Sequence, residues 1–468
     1  MSPLAGYVCL CVPRIRFLTF QAQSVADGYA VVPPCAIERV VETMTSKLTL
    51  LAATALTLAA VKAGPAASAY LGGECCGDLD ARVAELEATS PRKGTRAVSL
   101  QISGEVNRAL LIWDDGVKSD TYVVDNAAPS EGSRIRISGE GRLKPGWKSG
   151  FIVEMGFTDS SSMFVNQAKD EGNGDTSFET RLANWYIEGE RFGRVTVGQQ
   201  SSATDNITTI DLSHAHTDPV TWHNASFGIR ESGGDYTGLT WGNIAWGLEG
   251  YKGDFVRYDT PAFYGFMASA SWGENDSWDA ALRFQKDLNT VRVAAGAGYL
   301  WVGDASTVSL YPNDTMVASG SISVMHVPSG LFGNFAGGRV DISRDALASA
   351  NNPDQGTMWM AQAGVEKRIM PFGSTTFYGE YGRYQDIMLG YSSFDGNTPG
   401  LTGGSIAAAS ITGTEVSRWG VGAAQQFDTA ALEMYAVFNH FEAGVQTTTG
   451  DAPTEPWYGV VVGSRMKF

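Results

Sequence analysis

Three aspartates and three histidines fall within one stretch of the chain: Asp205, Asp211, His214, His216, Asp218 and His223. Ser201, Ser202 and Ser213 lie among them or just ahead. Such a set invites three chemistries. A Ser–His hydrolase needs nucleophile, base and oxyanion donor held within hydrogen-bond reach, and proximity along a loop supplies none of that geometry. A metal centre could start from the His214-x-His216 pair, but it needs a third placed ligand and no spacing here provides one. The third chemistry is electrostatic. Acids on a loop facing bases on a wall make a transverse field that orders water and favours polar solutes over apolar ones.

Bases suited to that role recur at period two. Arg134 and Arg136 alternate with Ile135 and Ile137, and Arg194, Arg283 and Arg292 alternate with Val195, Val197, Leu282, Phe284, Val291 and Val293. In a strand, that spacing puts the arginines on one face and the apolar side chains on the other. The arginines could equally pair with Glu105, Glu140 and Glu154 and hold the wall together, and one residue can do both. The run Asp170 to Asp175 (DEGNGD) offers hard oxygens to calcium but lacks the twelve-residue loop with its terminal Glu, so it reads as a solvated acidic loop. Nothing in the sequence calls for a cofactor or a bound metal.

The elements that must carry these residues are strands. From Ala97 to Phe468 the apolar period is two, and sixteen candidate strands can be counted, an even number that lets the first pair antiparallel with the last. Tight turns at Lys144–Gly146, Phe192–Gly193, Thr260–Tyr264, Asp287–Asn289, Pro328–Gly330, Met370–Gly373 and Asp428–Thr429 lie between mostly long, polar loops, the longest being Ser201–Gly253. Short turns on one rim and long loops on the other are the pattern of an outer-membrane barrel. Trp113, Trp147, Trp185, Trp272, Trp278, Trp301, Trp359, Trp419 and Trp457 gather at strand ends, where amphipathic rings would sit at headgroup level. The last candidate strand, Trp457 to Phe468, sets Tyr458, Val460, Val462, Met466 and Phe468 on one face and Arg465 and Lys467 on the other. Greasy outside and charged inside is what closing a barrel in lipid requires, because no free sheet edge can be left there.

The front of the chain reads differently. Met44 opens a stretch with Lys47, an uncharged run from Leu48 to Val61, and small residues ending Ala67, Ser68, Ala69. That is a secretory signal with an A-x-A cleavage site, too short in its apolar run to span a bilayer as a helix. A mature chain from Tyr70 is expected, with residues 1–43 an extension produced by a misplaced start. Residues 70–96 form a short periplasmic segment in which Leu79, Val83 and Leu86 suit either a small coiled coil or one amphipathic turn at the barrel mouth.

Charge and cysteine content exclude other classes. The chain carries 34 Lys and Arg against 50 Asp and Glu, a net −16, which makes nucleic acid a poor partner. Beyond residue 69 only the vicinal pair Cys75 and Cys76 remains, and two adjacent cysteines cannot staple a large fold. No uninterrupted apolar run of membrane-helix length occurs, so a membrane location means β-strands.

Several segments resemble porins, particularly the alphaproteobacterial general porins: CCGDLDARVAELEAT, VSLQISGEVNRALLIWDDG, FGRVTVGQQSSATDN and VRYDTPAFYGFMASASWG, with likeness over Cys75 to Phe468. The resemblance implies a 16-stranded antiparallel transmembrane β-barrel with short periplasmic turns, long extracellular loops and an inward-folded third loop that narrows the channel. It implies a homotrimer for passive diffusion of small hydrophilic solutes and ions, lying in outer-membrane lipid, and not an enzyme. The reading of the residues agrees on where to look, setting Asp205, Asp211, His214 and Asp218 on the loop opposite Arg134, Arg136, Arg194, Arg283 and Arg292 on the wall. The ending, with Gly463, Met466 and Phe468, resembles the signal read by the outer-membrane assembly machinery. Two rival readings are a structural or adhesive barrel plugged by its own side chains, and a substrate-specific channel, which would show a run of aromatics along its path. Strand number separates the first from a diffusion pore, since eight-stranded barrels fill themselves and sixteen-stranded ones do not.

Overall fold

The computed structural model describes residues 98–125, 132–157, 160–170, 178–215, 224–273, 276–304, 311–389, 401 and 404–468. The segments read above at 1–96, and His216, Asp218, His223 and most of the DEGNGD run, lie outside the described residues.

Period-two patterning becomes a ladder of strands: β1 (Ser99–Asp114), β2 (Ser119–Val124), β3 (Arg134–Lys144), β4 (Trp147–Phe157), β5 (Phe178–Gly189), β6 (Gly193–Ser201), β7 (Gly228–Arg230), β8 (Tyr236–Thr240), β9 (Lys252–Asp259) and β10 (Phe266–Gly273). They continue as β11 (Trp278–Leu288), β12 (Val291–Val302), β13 (Thr315–His326), β14 (Leu331–Ile342), β15 (Gln355–Met370), β16 (Gly373–Gln385), β17 (Ile411–Phe427), β18 (Leu432–Thr447), β19 (Gly450–Ala452) and β20 (Trp457–Lys467). Each wall strand pairs antiparallel with the next, and β1 closes the ring on β20 from Glu105↔Lys467 to Asp114↔Tyr458. Phe468 joins the closure, exchanging backbone hydrogen bonds with Gly104 at 2.9 and 3.0 Å.

The count is sixteen wall strands among the described residues, because β2 and β3 are two pieces of one. The lower part of β1 pairs with β3 (Ser99↔Glu140 to Glu105↔Arg134) and its upper part with β2 (Ala109↔Val124 to Asp114↔Ser119). β7 and β8 form a separate hairpin inside the longest connector, and β19 only extends the β18 edge. The seven expected tight turns all join neighbouring wall strands. Residues that accept a left-handed backbone sit in them, such as Gly193 (φ 81°) and Asn289 (φ 54°).

Val106, Val153, Trp185, Leu282, Phe335, Phe377, Val421 and Met466 are exposed and form the outward face. In a closed barrel every strand's backbone is satisfied by its neighbours, so this face can meet lipid with no polar cost. The buried apolar cluster lies elsewhere. Trp113, Phe227, Leu239, Trp241, Ile244, Leu248, Phe441 and Trp457 pack together, with Trp113–Phe227 ring centroids 4.9 Å apart, Trp241–Phe441 at 5.6 Å and Phe441–Trp457 at 5.8 Å. Phe227 to Leu248 belong to the longest connector, and their wall partners are at the loop-side ends of β1, β18 and β20. Apolar side chains gain nothing by leaving lipid for protein, whereas inside the barrel they leave water. Each fully buried one then contributes about 1.5–3 kcal/mol.

This corrects part of the aromatic expectation. Trp185, Trp272, Trp278, Trp359 and Trp419 do stand on the outer face, but Trp113 and Trp457 are fully buried in the internal cluster. Position at a strand end alone suggests a girdle residue. The strand parity puts them inward, with Leu111 and Val461, and the folded-in connector covers them.

Candidate pore constriction

The connector between β6 and β9 turns into the barrel at once and is fastened down one side of the wall. Asp279 on β11 accepts the backbone N–H of Ala203 (3.0 Å) and of Thr204 (2.6 Å), together with the Thr204 hydroxyl (2.7 Å). Arg283, four residues further along β11 and on the same face, donates to the carbonyls of Ala203 (2.7 Å) and Asp205 (2.9 Å). Arg257 on β9 holds the carbonyls of Ser201 and Ser202 at 3.2 and 2.9 Å. On β13, Ser321 donates to the Ile207 carbonyl (2.6 Å) and Ser323 accepts the Leu212 N–H (3.0 Å). On β15, Glu366 accepts the His214 N–H (3.0 Å) and Gln362 donates to the Ala215 carbonyl (3.3 Å).

Between these anchors the loop passes over β12 at Gly296 and Gly298. A Cβ at Gly296 would stand 2.6 Å from Ile207 Cδ1 and 2.7 Å from Ile210 Cδ1, and one at Gly298 would run into the Thr204 methyl. Only glycine lets the loop lie this flat on the wall. A second set of bonds braces the loop: within it Glu249 accepts the Thr208 hydroxyl (2.6 Å) and N–H (3.2 Å), and from the β12–β13 connector Tyr311 donates to the Glu249 carbonyl (2.7 Å). Burial and the nearby Asp205 push the Glu249 carboxyl up to about 7.

The opposite side carries arginines over buried acids. Arg134 on β3 reaches Glu105 on β1 at 2.6 Å, Arg136 reaches Glu154 on β4 at 2.6 Å, and Arg181 on β5 reaches the same carboxylate at 2.9 Å. Side-chain exposure is 19%, 42% and 17% for the three arginines, against 3% for Glu105 and 2% for Glu154. Arg181 could not be read from alternation. Asn184 and Tyr186 face inward, so position 181 has the outward parity, but the β4–β5 register shifts between Glu154 and Met155 and swings it round.

The other expected residues separate by role. Asp205 is buried and paired with Lys252 at 3.2 Å. Asp211 is half-buried and accepts the Ser213 N–H (2.7 Å) and hydroxyl (2.8 Å). His214 keeps about half of its side chain exposed (47%), with Nδ1 3.1 Å from Glu366, and that hydrogen bond holds its pKa above the ordinary histidine value against the opposing effect of its buried half. Arg194 stacks on the Tyr186 ring at 3.6 Å near the short-turn rim, and Arg292 pairs with Asp287 at 3.5 Å on that same rim. Neither stands beside the loop anchors. Arg283 does, but as the bracket just described. Met466 and Phe468 point outward and exposed, while Gly463 faces in, where a Cβ would meet the Tyr435 hydroxyl at 2.5 Å. Asp279 and Glu366 share the inward parity of Arg283 and Gln362, so alternation could have found both; it could not have said that a loop backbone would use them. No group of three or more His, Cys, Asp or Glu able to hold a metal occurs among the described residues.

A closed sixteen-stranded wall with one long loop fastened inside it leaves a lumen narrowed from one side. The sequence matches the Gram-negative porin family over residues 52–444. The chain belongs to that family. This porin is an outer-membrane channel for passive diffusion. No curated protein matches its sequence. Among solved structures, the anion-selective porin from Comamonas acidovorans is similar at 14% identity and TM-score 0.50, covering 79% of this chain and 100% of that one. OmpT of Vibrio cholerae (12% identity, TM-score 0.47, 81% of this chain and 100% of that) and the outer membrane channel DcaP of Acinetobacter baumannii (14%, 0.46, 81% and 100%) are also similar. At these identities the likeness concerns the fold alone.

Proposed function

We propose that this porin is a general diffusion channel for small hydrophilic solutes and ions, and that its selectivity filter is the gap between residues 205–214 and the Arg134–Arg136–Arg181 wall. The observation that carries the reading is the one-sided fastening of the loop: its backbone is bonded to β11, β13 and β15, and the arginines stand on β3 and β5. A passing solute then meets loop dipoles, Asp211 and His214 on one side and guanidiniums on the other, a transverse field that costs an apolar solute its water and a polar one little. Asp205 contributes through Lys252 rather than to the solute, and Arg194 and Arg292 belong to the periplasmic vestibule. Asp218 completes the acidic set on the part of the loop outside the described residues.

The finer expectations belong to the same reading. The mature chain starts at Tyr70 after export, residues 1–43 are not part of the natural product, and the protein assembles as a homotrimer of the alphaproteobacterial kind in outer-membrane lipid. The assembly machinery reads the ending through Met466 and Phe468. The protein has no enzymatic role, the histidine loop serving as a channel lining. Liposomes carrying the purified protein should swell in a series of neutral sugars at rates that fall smoothly with solute size, and planar-bilayer current should rise in groups of three steps. Selective entry of one sugar would indicate a specific channel instead, and single steps would dismiss the trimer. The apolar cluster inside the mouth favours one rival, a plugged structural barrel, which would give folded, heat-modifiable protein and no permeation.

A further inference from the structure

The sign of the charge open to the lumen is opposite to the sign of the chain. Among the described residues three guanidiniums, Arg134, Arg136 and Arg181, meet two carboxylates, Glu105 and Glu154, and both carboxylates lie behind them against the wall. Two further pairs, Arg418–Glu380 at 2.6 Å and Arg465–Glu433 at 3.3 Å, are buried on both sides, the arginines 5% and 8% exposed and the acids 4% each, and so add charge of neither sign to the lumen. On the loop side the acids are withdrawn as well. Asp205 and Glu249 are each 7% exposed, Asp205 is neutralised by Lys252, and Glu366 is covered by His214. Asp211, half-buried in its own turn with Ser213, is the loop acid nearest to open water. Among the described residues a solute in the gap therefore meets guanidiniums on the wall side and a single half-buried carboxylate, Asp211, on the loop side.

We propose that this pore favours anions over cations, with Arg134, Arg136 and Arg181 as the groups that set the preference, small carboxylates and inorganic oxyanions being the solutes best suited to them. The inference rests on the reading of the protein as an open diffusion channel. It runs against the net charge of −16, which alone would suggest cations. The net charge acts through the Debye length, about 10 Å at 0.1 M salt, so charge on outer loops beyond that reach is screened while the groups lining the narrowing are not. Planar guanidinium forks match carboxylate and phosphate oxygens two at a time, so the preference should be stronger for oxyanions than for chloride.

The test is the reversal potential of the full-length exported protein in a planar bilayer under a potassium chloride gradient, repeated with potassium acetate and potassium phosphate. The expected result is an anion-to-cation permeability ratio above one. Arg136→Gln and Arg181→Gln should each lower the ratio by about twofold or more in 0.1 M salt and by less in 1 M, where the screening length falls to ~3 Å. Asp211→Asn, on the loop and away from the wall pairs, should raise it, and serves if an arginine variant fails to fold. A wild-type ratio at or below one overturns the proposal, as does a ratio unmoved in Arg136→Gln, Arg181→Gln and Asp211→Asn alike. Absence of any current from folded protein would instead sink the channel reading beneath it, so the two failures are separable.

Discussion

The two sides of the barrel wall obey one alternation rule and spend their inward positions differently. On β10 to β13 the inward residues near the loop are Ser271, Asp279, Gly296, Gly298, Ser321 and Ser323, each small or able to bond a backbone group. On β3 to β5 they are Arg134, Arg136, Glu154 and the swung-in Arg181, long, charged and ion-paired along the wall. The difference teaches that inward side-chain size records what covers the wall. Arg283 marks the boundary, because it has the chemistry of the second side and the task of the first. Its donors are consumed by loop carbonyls, so a substitution there should disturb loop position, whereas one at Arg136 should disturb charge.

The comparison can be broken most forcefully at the internal cluster. Trp241→Ala should cost the folded-in connector about 3–5 kcal/mol, as truncation of a fully buried aromatic does. Trp419→Ala on the outer face should cost less, since lipid refills the space. Limited proteolysis would show cleavage within 224–248 for the first and an intact connector for the second. Next, Asp279→Ala strands the N–H of Thr204, worth about 1–3 kcal/mol when buried and unmade, and leaves that of Ala203 to Ser271 alone. Single-channel records should become noisy and larger in conductance, while Arg136→Gln stays quiet. If the two traces match, the division between fastening and filtering fails. Smaller still, Gly296→Val should displace Ile207 and change the conductance, whereas Gly337→Ala, where the nearest atom to a new Cβ is 3.6 Å away, should change nothing measurable.

Much of this was legible without coordinates. Strand number, the seven tight turns and the inward parity of Arg134, Arg136 and Arg283 follow from period-two patterning, because a strand's two faces meet different media. What alternation cannot carry is the third dimension. It assigned Trp113 and Trp457 to headgroup girdles because nothing in a strand pattern announces that a distant loop will fill the lumen. It missed Arg181 because a one-residue register shift reverses parity. It placed Arg194 and Arg292 with the constriction because face is encoded in sequence and height along the barrel is encoded only in register.

The weakest expected effect concerns pH and acts on the loop alone. His214 has a raised pKa, so its attraction to Glu366 is full below the ordinary value of about 6.5 and fades as pH rises through the raised one. Glu249, pushed up to about 7, is neutral in acid and gains a buried charge beside Asp205 as pH climbs from its ordinary value through 7. Both changes loosen the loop in the same direction. Current noise should therefore rise as pH climbs from the ordinary glutamate range through about 7 and on through the raised value of His214, by less than in Asp279→Ala, and His214→Gln should flatten the part due to the tether.

The central claim is that residues 202–215 form the narrowing of an open pore. It is tested most directly by comparing single-channel conductance of the intact protein with a variant in which 206–213 are replaced by a short Gly-Ser link. The account predicts resolved current steps in both and a larger step in the variant. Equal steps would show that the narrowing lies elsewhere, and silence from both, with barrels that remain heat-modifiable, would contradict the channel itself.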